Sequence, residues 1–103
     1  MRQVMSLGQG GIEIAAIDVP ANSPLLNSGL HTLWEHRKFP AGALILGLLK
    51  ETDQAFHLPR ERPLVALNDE ILALGTADDI HQISLIISGK RQGLIRRTRK
   101  QLS

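Results

Sequence analysis

Ala43-Leu44-Ile45-Leu46-Gly47-Leu48-Leu49 is a nearly continuous apolar run in a chain of 103 residues. It is far shorter than the ~18–20 residues that a membrane-crossing helix needs. A short apolar run without polar alternation reads as a central strand covered on both faces. A chain of this length builds one domain. One layer of helices covers only one face of a sheet, so the other face needs a cover of its own. A second copy of the chain is the simplest one, and the sequence therefore predicts a homodimer.

The remaining elements fall around this strand. Residues 12–19 are β-rich and bounded by Gly10-Gly11 and Pro20, and they read as a strand. Ser23 is placed to cap a helix whose first turn holds Pro24. Leu26, Leu30, Leu33 and Trp34 recur at helical spacing, and Pro40 stops that helix near Arg37-Lys38. A polar turn at residues 50–54 leads to a short strand at 55–58, and Asn68-Asp69 turns into another at 70–74. Thr76 suits the cap of a second helix, with Asp78 and Asp79 in its first turn and Ile80, Ile83 and Ile87 on one face. Gly89 ends it. The expected fold is a two-layer α+β domain of order βαβββα, with a four-stranded sheet and two helices on one face. Residues 1–11, short, polar and Gly-rich, are expected to be a flexible lead-in without the apolar stretch of a signal peptide.

Composition excludes several function classes. There is no cysteine, which removes disulfide scaffolds, thiolate zinc sites and cysteine nucleophiles. Aromatics are 3%, so the core is aliphatic and base-stacking platforms are disfavoured. The net charge of +2 is unevenly placed. Residues 1–88 carry six basic and ten acidic side chains, whereas residues 89–103 carry six basic and none acidic. That tail is either a solvated, frayed end or an arm for nucleic acid or anionic lipid.

Candidate chemistry is sparse. No GxSxG elbow surrounds any serine. The carboxylate pairs Asp69-Glu70 and Asp78-Asp79 already suit a turn and a helix start. His31 and Glu35, four apart, lack the matching pair that a metal site needs, so no metal and no cofactor is expected. His57 precedes Pro59-Arg60-Glu61-Arg62-Pro63. Two guanidiniums beside an imidazole, held by prolines, can grip a phosphodiester. The alternative is an exposed edge strand leading to a charged loop in which Glu61 pairs with a neighbouring Arg.

The order of these segments resembles the TrkA-C domain, also called RCK-C, over residues 12–88. The resemblance lies in Val19-Pro20-Ala21-Asn22-Ser23-Pro24-Leu25-Leu26 with Leu30 and Leu33, and in the 43–49 run followed by Lys50. It continues in Leu67-Asn68-Asp69-Glu70-Ile71-Leu72-Ala73-Leu74-Gly75 and in the helix led by Asp78-Asp79. The family usually has Gly where Asn27 and Asn68 stand. Asn is the non-glycine residue that best tolerates left-handed backbone, so the same turns are expected to form at a cost of ~1 kcal/mol each. The resemblance implies a cytoplasmic homodimer that regulates a potassium channel or transporter. It also implies a small ligand bound between subunits, a nucleotide-like one such as cyclic di-AMP in some members. The family's Rossmann-type neighbour lies outside these residues, so the chain is expected to be a stand-alone version or a piece of a longer one. In that reading Asn22, His57, Arg60 and Arg62 are the polar ligand-binding candidates, and Leu44 and Ile45 the apolar wall. A competing function is a nucleic-acid-associated protein that binds phosphates through its basic tail.

Overall fold

A computed structural model describes residues 1–90 of the chain. The basic stretch expected to be a phosphate-binding arm lies, apart from Lys90, outside the described residues. The elements in chain order are strands β1 (Arg2–Leu7) and β2 (Ile12–Asp18), helix α1 (His31–Trp34), strands β3 (Leu44–Leu49), β4 (Phe56–His57) and β5 (Glu70–Thr76), and helix α2 (Ala77–Ser88). The strands form one antiparallel sheet of order β1-β2-β5-β3-β4. The fold is α+β, with five strands instead of the expected four.

The extra strand is the segment expected to be flexible. Gly8 and Gly11 take positive φ, +57° and +77°, which lets the chain reverse tightly and lay residues 2–7 along β2. Composition concealed this strand because its order comes from a long ladder with β2, not from its own propensity. The centre of the sheet also moves. β5 sits in the middle, and β3 lies between β5 and the two-residue edge strand β4.

The first helix is the larger correction. Helical geometry over residues 24–38 shrinks to the four residues of α1. Ser23 does not cap it; the buried Ser23 Oγ accepts from Leu25 N at 3.1 Å in a local turn. Asn27 is left-handed at φ +64°. The amides of Asn27 and Leu30 donate to Val65 and Pro63 carbonyls at 2.8 Å each. The backbone of residues 27–30 is therefore committed to the 63–65 loop and is not free to continue a helix. Asn68 is also left-handed, at φ +68°. Both asparagines thus do what their sequence positions led one to expect.

α2 forms as read. Thr76 Oγ1 accepts from Asp79 N at 3.1 Å and Asp79 Oδ2 accepts from Thr76 N at 3.2 Å, a reciprocal capping box. Gly89 closes the helix at φ +75°. Ile80, Ile83 and Ile87 are buried and pack with Leu30 and Leu33 against Ala15, Ile17, Leu48, Ile71 and Ala73. Both helices therefore cover the same, inner face of the sheet.

Among the described residues no helix covers the outer face. Strict pleating and the ladder register place Met5, Ile14, Leu74 and Leu44 opposite one another across four strands. Leu7 and Ile12 continue the row on one side, with Leu72, Leu49 and Phe56 on the other. Met5 is 50% exposed, Leu44 62% and Phe56 46%. Both faces of β3 were expected to be covered, but within the described chain only the inner one is. At one end this apolar field is rimmed by the Arg2–Glu70 ion pair at 3.1 Å. A β-bulge between Ile45 and Gly47 lets Phe56 lie over Gly47, where a Cβ would come within 2.5 Å of the His57 carbonyl oxygen.

Candidate functional site

The 34–45 segment and the 58–63 loop meet at one end of the sheet. Between them lies a pocket of about 580 Å³, open to solvent. Trp34 comes from the last residue of α1, Phe39 and Pro40 from the loop after it, Leu44 and Ile45 from the start of β3, and Pro59 from across the gap. Pro40 stops any further helix and turns the chain, so Phe39 and Trp34 flank the same cavity. The lining side chains are apolar, which suits a planar or aliphatic group bound by exclusion of water. Ile45 is buried and Leu44 exposed, so the pocket wall runs from the core out to the bare face of the sheet.

The 58–63 loop brings Pro59 to the pocket wall and carries the charged residues that follow it. Pro59–Glu61 is a single 3-10 turn with no buried residue. Glu61 Oε1 lies 3.0 Å from His57 Nδ1, and Glu61 Oε2 accepts from Leu58 N at 3.4 Å. The His57 contact first, and the Leu58 amide second, hold the Glu61 carboxyl below its ordinary range. Glu61 thus pairs with His57, not with a neighbouring arginine. Arg60 and Arg62 are both exposed. Arg62 is left-handed at φ +48°, although it is neither Gly nor Asn and precedes Pro63. Such a conformation persists only where the surroundings fix it. Here Arg62 N donates to Pro59 O at 3.0 Å, and Pro63 O accepts from Leu30 N at 2.8 Å.

The sequence candidates therefore divide. Leu44 and Ile45 line the pocket, with Arg60 next to its Pro59 wall. His57 is engaged by Glu61, and Arg62 sits at the far end of the same turn. Asn22 is not among the lining residues; its Nδ2 donates to Ser88 O at 3.1 Å and ties down the end of α2. Trp34, Phe39 and Pro59 were not singled out from the sequence. Two of the chain's three aromatics falling within six residues of one another, just before a proline, was the available signal.

A second cluster anchors the other end of the loop. Asp69 is fully buried and accepts from Lys50 Nζ at 2.7 Å, Glu51 N at 2.9 Å and Ala66 N at 2.9 Å. Lys50 Nζ also donates to Leu64 O at 3.0 Å. The basic residue after β3 and the acidic residue of the turn before β5, both quoted for the family resemblance, are thus one ion pair. Its partners are satisfied, and its role is to join β3 to the 64–69 loop. Among the described residues no group of three or more His, Asp or Glu side chains is placed to hold a metal ion. Nor is any helix long and apolar enough to cross a membrane. No known family model matches the sequence, and no curated protein matches it.

Proposed function

We propose that the chain is a ligand-sensing regulatory module of the TrkA-C kind, a binding protein and not an enzyme. It acts in the cytoplasm as a homodimer within a cation transport system, potassium being the cation that the resemblance implies. The observation that carries this reading is the aromatic- and proline-walled pocket, whose Pro59 is followed in the chain by the exposed Arg60. An apolar cavity with an arginine one residue along the chain from its wall suits a ligand with a planar body and an anionic group, the chemistry of a nucleotide or of cyclic di-AMP. The bare outer face supports the homodimer. Four strands at ~4.8 Å spacing and six residues at ~3.3 Å rise give an apolar face of roughly 400 Å², comparable to the largest patch a monomer leaves exposed. Two such faces stack as sheets do, about 10 Å apart. Because Leu44 belongs both to that face and to the pocket, a ligand in the pocket biases how two copies sit, and the attached transport machinery reads the geometry.

Calorimetry with cyclic di-AMP and with mononucleotides tests the ligand. Binding is expected, and Arg60→Ala weakens it by roughly tenfold, as loss of a charge-assisted phosphate contact does. No heat with any nucleotide, or an affinity indifferent to Arg60→Ala, removes the reading. The charge of residues 89–103 favours one competitor, a phosphate-binding arm for nucleic acid. That competitor predicts steep salt dependence and loss of binding on truncation after Gly89, whereas the pocket reading predicts that the truncated chain still binds.

A further inference from the structure

Successive side chains of a strand point to opposite faces of the sheet. Leu44 belongs to the outer face and Ile45 to the inner one, yet both line the pocket, so the cavity lies at the edge of β3 itself. On that side β3 is paired only through Leu48 and Leu49. β4 ends after Phe56 and His57, because Pro59 brings no N–H to a ladder and the chain bends away into the Pro59–Glu61 turn.

The backbone of Ile45 faces this gap. Val19 N donates to Asp69 O at 2.9 Å, and the β2–β5 ladder runs on from there without a register shift. Bonded and non-bonded pairs alternate along an antiparallel ladder, so Ala73 directs its N–H and C=O to β2. Its neighbour on the other side, Ile45, is therefore a non-bonded partner and directs its own N–H and C=O away from β5, to the pocket side. Lys50 N, which donates to Ala55 O at 2.9 Å, sets the same phase on β3: Leu48 faces β4, and beyond the bulge Ile45 faces the space past the end of β4. Among the described residues no turn or loop backbone group is bonded to Ile45.

We propose that this edge takes an extended peptide segment of a partner protein, added as a short antiparallel strand beside β3. The segment's backbone pairs with the N–H and C=O of Ile45. The residue opposite Ile45 sets its side chain on the same, inner face, where an aliphatic or aromatic group meets Trp34 and Phe39. Extended backbone is the occupant because it supplies a donor and an acceptor together beside an apolar side chain; a purely apolar ligand leaves both groups of Ile45 without a partner. The inference goes beyond the nucleotide reading and stands without it, and a strand and a nucleotide in this cavity exclude one another.

Proton–nitrogen correlation spectra and amide exchange of the full chain test the edge, with the blocked peptides Lys-Thr-Leu-Thr-Lys and Lys-Thr-Phe-Thr-Lys as probes. In the free chain the Ile45 amide is expected to exchange at least roughly tenfold faster than that of Ala73, which is paired inside the sheet. Either peptide slows exchange at Ile45 and shifts the Ile45 amide and Trp34 indole signals. Methylating the nitrogen of the central leucine removes one backbone donor and weakens binding by roughly fivefold. Replacing that leucine by glycine, or Phe39→Ala in the chain, weakens it by roughly tenfold. An Ile45 amide already as protected as that of Ala73 overturns the proposal, whether a second copy or residues 91–103 cover the edge. So does binding that leaves exchange at Ile45 unchanged, equal affinity for the N-methylated peptide, or no binding at millimolar peptide. No nucleotide enters these readouts, so failure of the nucleotide reading in calorimetry is a separate outcome.

Discussion

The two faces of the sheet are built from the same kind of residue and meet different fates. On the inner face Ile17, Leu48, Ile71 and Ala73 are buried at 3% exposure or less beneath α1 and α2. On the outer face Met5, Leu44 and Phe56 keep about half their surface or more. Alternating strands of an antiparallel sheet with a solvated face ordinarily read apolar-in and polar-out. Here the outward positions stay aliphatic across four strands, and polar groups are confined to the rim, where Arg2 pairs with Glu70. The contrast teaches that apolar strand residues of one kind are covered by the chain's own helices on one face and stay exposed, among the described residues, on the other.

Four substitutions sharpen that contrast, from largest effect to smallest. Asp69→Ala removes the acceptor of three hydrogen bonds and strands a half-buried Lys50, so it is expected to destabilise the fold by about 4 kcal/mol in urea titration. Leu48→Ala, on the inner face, opens a cavity under the helices and costs about 3 kcal/mol in the same measurement. Leu44→Asp, on the outer face, changes unfolding of the monomer by less than ~0.5 kcal/mol, because the side chain is already in water. It weakens self-association by at least roughly tenfold, about 1.4 kcal/mol, in dilution series. If Leu44→Asp instead unfolded the chain while leaving association intact, the two faces would have been assigned the wrong way round. The smallest effect belongs to Glu61. Its folded carboxyl sits below the unfolded value, so its contribution to stability is present above the ordinary carboxylate range and lost as pH falls through the depressed one. Glu61→Gln should lower the melting temperature slightly at neutral pH, where that contribution is present, and leave it unchanged in acid, where the carboxyl is already protonated.

The sequence was most legible where a residue's local chemistry decides its conformation. Thr76 announced a helix cap, Gly89 a helix end, and Asn27 and Asn68 left-handed turns, and all four stand in the structure, the cap as a reciprocal box with Asp79. It was least legible where distant backbone decides. β1 owes its order to β2, and the helix read over residues 24–38 yields because the amides of Asn27 and Leu30 are taken by the 63–65 loop. The site divides in the same way. Leu44 and Ile45 were found because β3 is so plainly apolar. The opposing Pro59 wall depends on a loop whose path is set by Glu61 and by a left-handed Arg62, and no pattern in the chain foretold that conformation. Asn22 was read as a ligand group from its place in the family resemblance, yet its amide is spent on the end of α2.

Sedimentation equilibrium across micromolar to millimolar concentrations tests the central claim most directly, with Leu44→Asp run beside the parent chain. The account predicts a species of twice the chain mass for the parent and a shift toward single copies for the variant. A parent chain that sediments as single copies at millimolar concentration would contradict it.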